Sequence, residues 1–127
     1  ILHHVDLAAS LKELNRVLKE GGKAFFTEPL GHNPILNIYR MLTPQLRSKN
    51  EKPLVFKQFE LILDHFPRFK HHEYYLTAIL AVAFHFINLD HLMLKSRDLL
   101  FRFDKEILRI LPFLRRYCWY TILEIEK

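Results

Sequence analysis

The sequence predicts an α/β domain, an open sheet with helices packed on it and a helix-rich insert ahead of its last strand. Three observations carry this. Residues 1–30 run strand, helix, Gly21-Gly22 turn, strand, and end on polar residues, the order in which an open α/β sheet builds a ligand crevice. Tyr117 to Ile125 is apolar on both faces, as a strand inside a sheet is. Between these segments, residues 78–111 read as two or three helical pieces.

Taken in order, Ile1 to Val5 reads as the end of a buried strand. Asp6 then caps a helix over Leu7 to Lys19, in which Leu7, Leu11, Leu14 and Leu18 form one apolar stripe. Gly21-Gly22 ends that helix through a left-handed residue, and the short apolar run Lys23 to Thr27 predicts a buried parallel strand. From Leu30 to Leu54 the chain is punctuated by Gly31, Pro34, Pro44 and Pro53. It is too long for a plain connection and predicts a substrate-facing excursion. Within it, Ile35 to Leu42 has room for a helix, with Asn33 before it and Pro34 at its first position. Val55 to Phe66 is helical, with Phe59, Ile62, Leu63 and Phe66 on one side, and Pro67 stops it. Phe69 to Leu76 reads as a strand. In 78–111, Asn88 or Asp90 and Asp104 are plausible caps, and Leu99, Leu100, Phe103, Ile107, Leu108 and Leu111 form the core sides.

Composition narrows the function classes. With 127 residues, half of them hydrophobic and only 3 Gly and 6 Pro, the chain suits one ordered domain. Its 11 Phe, 5 Tyr and 1 Trp favour large apolar pockets or interfaces. Net charge is +5, but Lys and Arg are scattered rather than striped, so no nucleic-acid partner is expected. The single Cys118 excludes an internal disulfide and a cysteine-based zinc site. It reads as an inert buried thiol and fits a reducing compartment, hence a cytoplasmic location. The apolar run Tyr74 to Ile87 falls short of the about 20 residues that span a bilayer, and predicts a buried helix or a strand running into one.

The strongest chemical cluster is Glu28-Pro29-Leu30-Gly31-His32-Asn33-Pro34, a carboxylate, an imidazole and an amide just past a strand's end. Glu28 can bind a cationic or hydroxyl group, or act as a base if burial raises its pKa. The plainer alternative is a capping turn in which Asn33 caps and Glu28 pairs with Arg40. His3-His4 point to opposite faces of a strand and cannot chelate one metal comfortably, but one imidazole can face the crevice. Arg40, Arg47 and Lys49 with Glu51 form either an anion site or a solvated face. His71-His72 reads as structural or solvated, and Arg115-Arg116 as a helix end. No metal site is expected, and no residue is assigned as catalytic.

Leu2-His3-His4-Val5, followed by Leu14-Asn15-Arg16-Val17-Leu18-Lys19-Glu20-Gly21-Gly22, resembles a segment of class I S-adenosylmethionine-dependent methyltransferases of the type 11-like group, with Glu20 where Pro is usual. Glu28 to Pro34, Tyr39-Arg40, Leu42-Thr43-Pro44 and Arg47 are similar to one bacterial-type branch of that family. The resemblance implies a Rossmann-like seven-stranded sheet whose last two strands form an antiparallel pair, the final one inserted beside the fifth. Residues 1–127 are then expected to form one partial domain holding strands five to seven with their helices and the 78–111 insert. The tip of strand four would be Ile1 to His4. The N-terminal half, with the glycine loop and the acidic ribose-binding residue, would be a missing partner, and this chain alone would be inactive.

The same resemblance implies S-adenosylmethionine as cofactor, with His3 and His4 at its methionine and sulfonium end. Glu28, Pro29, His32, Asn33, Arg40 and Arg47 would face the acceptor. Methyl transfer depends mainly on alignment; where the acceptor must lose a proton, His4, His32 or Glu28 would take it. The aromatic and aliphatic stretch Tyr74 to Phe103 suggests a small or lipid-like acceptor. Two other classes fit the residues: a non-catalytic interaction module whose open sheet edge seeks a partner, and a membrane-surface protein making peripheral contact through the basic and apolar insert.

Overall fold

Asp6 starts the first helix as expected: its carboxylate accepts the Ala9 N–H at 2.7 Å, and α1 (Leu7–Val17) follows. In the computed structural model, residues 1–48, 50–82 and 88–127 are described. Lys49 and the 83–87 part of the predicted insert lie outside them. The helix stops short of Lys19, because Leu18 is already extended. The Lys127 ammonium takes up its last carbonyls, donating to Asn15 O at 2.6 Å and Leu18 O at 3.0 Å. Gly21, at φ +71°, therefore shapes the turn into the sheet rather than ending the helix, and its N–H meets Lys127 O at 2.9 Å.

Three strands form the sheet: β1 (Lys23–Pro29), β2 (Arg68–Tyr74) and β3 (Tyr120–Glu126), in the order β1-β3-β2. β3 is antiparallel to both neighbours, so β1 and β2 run parallel to each other. Their C-terminal residues, Pro29 and Tyr74, both pair with Tyr120. The last strand thus lies inside the sheet, as expected, although only one of its faces is closed. Thr121, Leu123 and Ile125 are fully buried, while Glu124 and Glu126 meet Lys23 and Arg68 on the outer face. β1 corrects the expectation of a buried parallel strand. It is an edge strand, and period-two alternation sends Lys23, Phe25 and Thr27 outward, leaving Phe25 63% exposed.

The helices lie against the inner face. α1 and α3 (Lys57–His65) pack on each other and over the sheet, joining Leu7, Leu11, Phe59, Ile62 and Phe66 to Leu123 and Ile125 in one core. Burying side chains of this size stabilises by about 1.5–3 kcal/mol each. Leu63, expected on the same side as Phe59, is 45% exposed. Ile1 to Val5 is not a strand end. Leu2–His4 forms a single 3-10 turn because the Leu2 and His3 N–H groups are drawn to the Glu28 carboxylate instead of a neighbouring strand.

β2 ends at Tyr74 rather than Leu76, since Tyr75 at φ +64° turns the chain away. A 3-10 turn, Ala78–Val82, follows. The long helix α4 (Asp90–Ile110) has Leu89 as its cap residue, with no side-chain cap bond. Asp104 sits deep inside this helix rather than capping one. Leu108 is buried one turn on, which turns the expected core residues Leu99 (70% exposed) and Phe103 (52%) outward. A last 3-10 turn, Pro112–Tyr117, leads into β3 and carries Arg115-Arg116 at its end. Among the described residues no helix is long and apolar enough to cross a membrane.

α2 (Pro34–Leu42) forms where expected, and for the expected reason. Asn33 Oδ1 accepts from the Ile35 and Leu36 N–H groups at 3.0 and 3.2 Å, and Pro34 loses nothing at the first position. Asn33 Nδ2 also donates to Tyr117 O at 2.6 Å, tying the helix start to the turn before β3. Asn33→Ala is expected to cost about 1–2 kcal/mol, and Asn33→Asp, which keeps only the cap, less. Urea unfolding midpoints check both, and a wild-type midpoint for the alanine variant would refute the cap's importance.

Candidate functional site

At the C-terminal end of β1 the chain closes a small crevice of about 130 Å³. β1 supplies Thr27 and Pro29; β3 and the residue before it supply Tyr120 and Trp119. α2 supplies Leu36, Tyr39 and Arg40, which share one helical face by their three- and four-residue spacing. The 3-10 turn brings His3, and the loop after α2 brings Arg47 and Glu51. Gly31 lets that loop approach closely: a Cβ there would lie 3.3 Å from Pro53 O. Gly31 N–H bonds to Leu54 O at 2.8 Å, and Lys52 N–H reaches His3 O at 2.7 Å.

Glu28 lies behind this crevice, fully buried. Its Oε1 accepts from Leu2 N–H at 2.9 Å. Its Oε2 accepts from His3 N–H at 3.2 Å and lies 2.5 Å from His3 Nδ1. Burial raises the pKa of this carboxyl, but the hydrogen bonds from the His3 ring and then the Leu2 amide outweigh it, so the group is held below its ordinary value of 4.5. A lowered pKa makes Glu28 a poor base. It works instead as the anchor that orients His3, and the alternative pairing with Arg40 does not form.

Arg40 turns elsewhere. Its guanidinium donates to Asn37 Oδ1 at 2.8 Å and Leu30 O at 3.0 Å, and burial, then the charge of Arg47, lower its pKa. Arg47 pairs with Glu51 at 2.7 Å and sits 5.8 Å over the Tyr39 ring. Its Nε is buried with no hydrogen-bond partner. A buried guanidinium donor left unpaired is costly, and Arg47 is a residue of the crevice wall beside Trp119, Tyr39 and Leu36. An anionic or carbonyl oxygen entering the crevice would satisfy it.

Sequence and structure therefore agree on His3, Pro29, Arg40 and Arg47 as neighbours, with Glu28 directly behind them. No family model, curated protein or solved structure matches this chain. The site is therefore read from its own chemistry. His4 lies outside the crevice lining, its ring 4.0 Å from that of His3 and its Nδ1 2.9 Å from Ser48 Oγ. Asn33 is spent on its cap. His32 is also structural: its Nε2 accepts the Phe56 N–H at 3.0 Å, and burial, then the charge of Arg116, lower its pKa. A ring acting as acceptor there is held neutral by the same surroundings.

Tyr39, Trp119 and Tyr120 also line the crevice, though none is among the expected acceptor-facing residues. For Tyr39 the signal was present, in its helical spacing from Leu36 and Arg40. For Trp119 and Tyr120 it lay in the pairing of β1 with β3, which no local pattern reveals. Of the His71-His72 pair, His71 takes the structural place, facing inward 4.8 Å from the Phe59 ring and pairing with buried Glu73 at 2.6 Å, while His72 is the exposed one. Cys118 is an inert thiol, fully buried and pushed up to about 12 by burial and then by the charges of Glu73 and Asp104. Among the described residues no group of three or more His, Cys, Asp or Glu side chains is placed to hold a metal.

Proposed function

We propose that this chain is the acceptor-side part of an S-adenosylmethionine-dependent methyltransferase acting in the cytoplasm, with the crevice at the end of β1 receiving a small apolar acceptor that carries an anionic or carbonyl oxygen. The observation that carries the acceptor reading is the unpartnered Nε of Arg47, a residue of the aromatic-walled crevice. The family reading draws support from topology. The order β1-β3-β2, with the last strand antiparallel between two parallel ones, is the arrangement the resemblance expects of strands five, seven and six. An apolar or lipid-like acceptor is supported by Ile38, Met41 and Leu42 of α2, which are 58–79% exposed on the helix that walls the crevice.

In this reading His3, oriented by Glu28, stands where the methyl donor's sulfonium end would face the crevice, and Arg47 holds the acceptor in line. Alignment is then the chain's main contribution to rate. Isothermal titration of the full-length protein with S-adenosylmethionine tests the class. Heat that S-adenosylhomocysteine competes away is expected, and its absence would sink the methyltransferase reading.

The acceptor reading has its own reporter, because the single tryptophan, Trp119, lines the crevice. Benzoate, a small ring carrying a carboxylate, is expected to change the Trp119 fluorescence. Arg47→Met should weaken its binding about tenfold, the effect of one lost interaction of about 1.4 kcal/mol. Equal benzoate affinity in the two proteins would remove Arg47 from the site.

A further inference from the structure

A second cavity, larger than the β1 crevice, lies at the end of β2. It measures about 390 Å³ and is enclosed by the last residues of β2, by α4 and by the Pro112–Tyr117 turn. Because β1 and β2 run parallel, it opens at the same end of the sheet as the crevice, where open α/β sheets take ligands. Its volume is in the range of small-molecule pockets. Tyr75, held at φ +64°, and Phe101 form an aromatic wall, with ring centroids 6.0 Å apart.

Two kinds of charge meet there. Glu73 is among the lining residues, and its side chain is 1% exposed. Its Oε1 is committed to His71 Nδ1 at 2.6 Å and Thr121 Oγ1 at 3.1 Å, but Oε2 is buried with no partner. Native proteins rarely leave a buried carboxylate oxygen unpaired. Three basic side chains share the lining: Lys105, Arg109 and Arg115. Arg109 pairs with Glu106 at 2.8 Å, whereas Lys105 and Arg115 form no ion pair among the described residues. Asp104, the other acid on the wall, spends both oxygens on backbone and hydroxyl donors.

We propose that this cavity binds a small zwitterion, its ammonium on Glu73 and its anionic group on Lys105 and Arg115. A simple anion would leave Glu73 Oε2 unpaired, and a simple cation would face three basic side chains, so each half alone is poorly served. A molecule with both charges satisfies both. Oε1 keeps its bonds to His71 and Thr121, and the ligand's ammonium meets Oε2 where it stands. The aromatic wall suits the ammonium and the carbon chain between the charges. This inference is independent of the methyl-transfer reading and uses none of the residues of the β1 crevice.

O-phosphoethanolamine is the probe, with inorganic phosphate and ethanolamine as its two halves, titrated calorimetrically into the 127-residue chain. O-phosphoethanolamine is expected to bind at least tenfold more tightly than either half. Glu73→Gln should erase that advantage over phosphate, and Lys105→Ala/Arg115→Ala should abolish binding of phosphate and zwitterion alike. Circular dichroism checks folding, and the rim double variant keeps the test alive if Glu73→Gln unfolds. Sedimentation with phosphatidylethanolamine in phosphatidylcholine vesicles separates the two sources of this chemistry. Pelleting that Glu73→Gln abolishes assigns a lipid headgroup, and solution binding without pelleting assigns a free zwitterion. Affinity for O-phosphoethanolamine no better than for phosphate, or unchanged in both variants, overturns the proposal.

Discussion

Glu28→Ala is expected to destabilise the chain by about 3 kcal/mol, shifting the urea midpoint down by about 1–3 M. The carboxylate is fully buried, and it is the acceptor for the Leu2 and His3 N–H groups and the partner of the His3 ring. Alanine leaves these donors without an acceptor; the Leu2 amide is buried, so water replaces the lost oxygen poorly. The loss extends beyond stability. The 3-10 turn of Leu2–His4 then keeps only the Leu2 side chain in the core and the Lys52 N–H on His3 O, so the His3 ring loses its anchor and the Trp119 response to benzoate should weaken. The pH dependence follows from the pKa. Since the folded-state value lies below the ordinary 4.5, Glu28 contributes stability that is present above about 4.5 and is lost as pH falls through the folded value. Glu28→Gln, which cannot ionise, should be less stable at pH 7 and should show a flatter loss of stability on acidification. Unfolding midpoints between pH 7 and pH 3 test this, and parallel acid limbs for the two proteins would show that Glu28 is not the linked group.

The elements legible in the sequence are those whose causes are local. Asn33-Pro34 specifies the start of α2 because a cap and a first-position proline act within four residues. Asp6 starts α1 for the same reason. The apolar stretch ending at Ile125 marked a strand inside the sheet, although Glu124 and Glu126 lie on an outer face that the apolar pattern had implied was covered. The elements that misled depend on partners far away in the chain. Ile1 to Val5 has strand composition, yet Glu28, more than twenty residues on, takes its amides. β1 has the composition of a buried strand but only one neighbour among the described residues, so half of it faces out. In the site, the neighbourhood of His3, Pro29, Arg40 and Arg47 was legible because all four lie near one strand end. The pairing within it was not: Glu28 chose His3 over Arg40. His71 shows that a wet neighbourhood in sequence is a weaker guide than period two, which puts it on the inner face with Phe69 and Glu73 and leaves Lys70 and His72 outside.

Asp104→Ala carries the other large expected effect, about 3 kcal/mol, and its reason is also non-local. The residue has the look of a helix cap, but it lies inside α4 and caps a different element. Its Oδ2 accepts from the Leu76 and Ala78 N–H groups at 2.9 and 3.0 Å, and its Oδ1 from the Thr77 N–H and hydroxyl at 2.8 and 2.6 Å. Four donors at the start of the Ala78–Val82 turn converge on one carboxylate that is 3% exposed. Removing it strands donors at about 1–3 kcal/mol for each that water cannot reach; Thr77 can rotate its hydroxyl outward, which keeps the total near 3. Asp104→Asn retains one acceptor oxygen and should fall between the two. Because this carboxylate is what pins the turn after β2 to α4, its loss should loosen that corner before it unfolds the sheet. Cys118 reports the difference. Its thiol, buried and pushed up to about 12, should react negligibly with a disulfide reagent in the parent chain. In Asp104→Ala it gains in two ways, through local opening and through removal of one of the negative charges that hold its pKa up. Faster thiol labelling at urea concentrations below the unfolding transition is the expected result. Labelling that accelerates only as the whole chain unfolds would show that the corner and the sheet open as one unit.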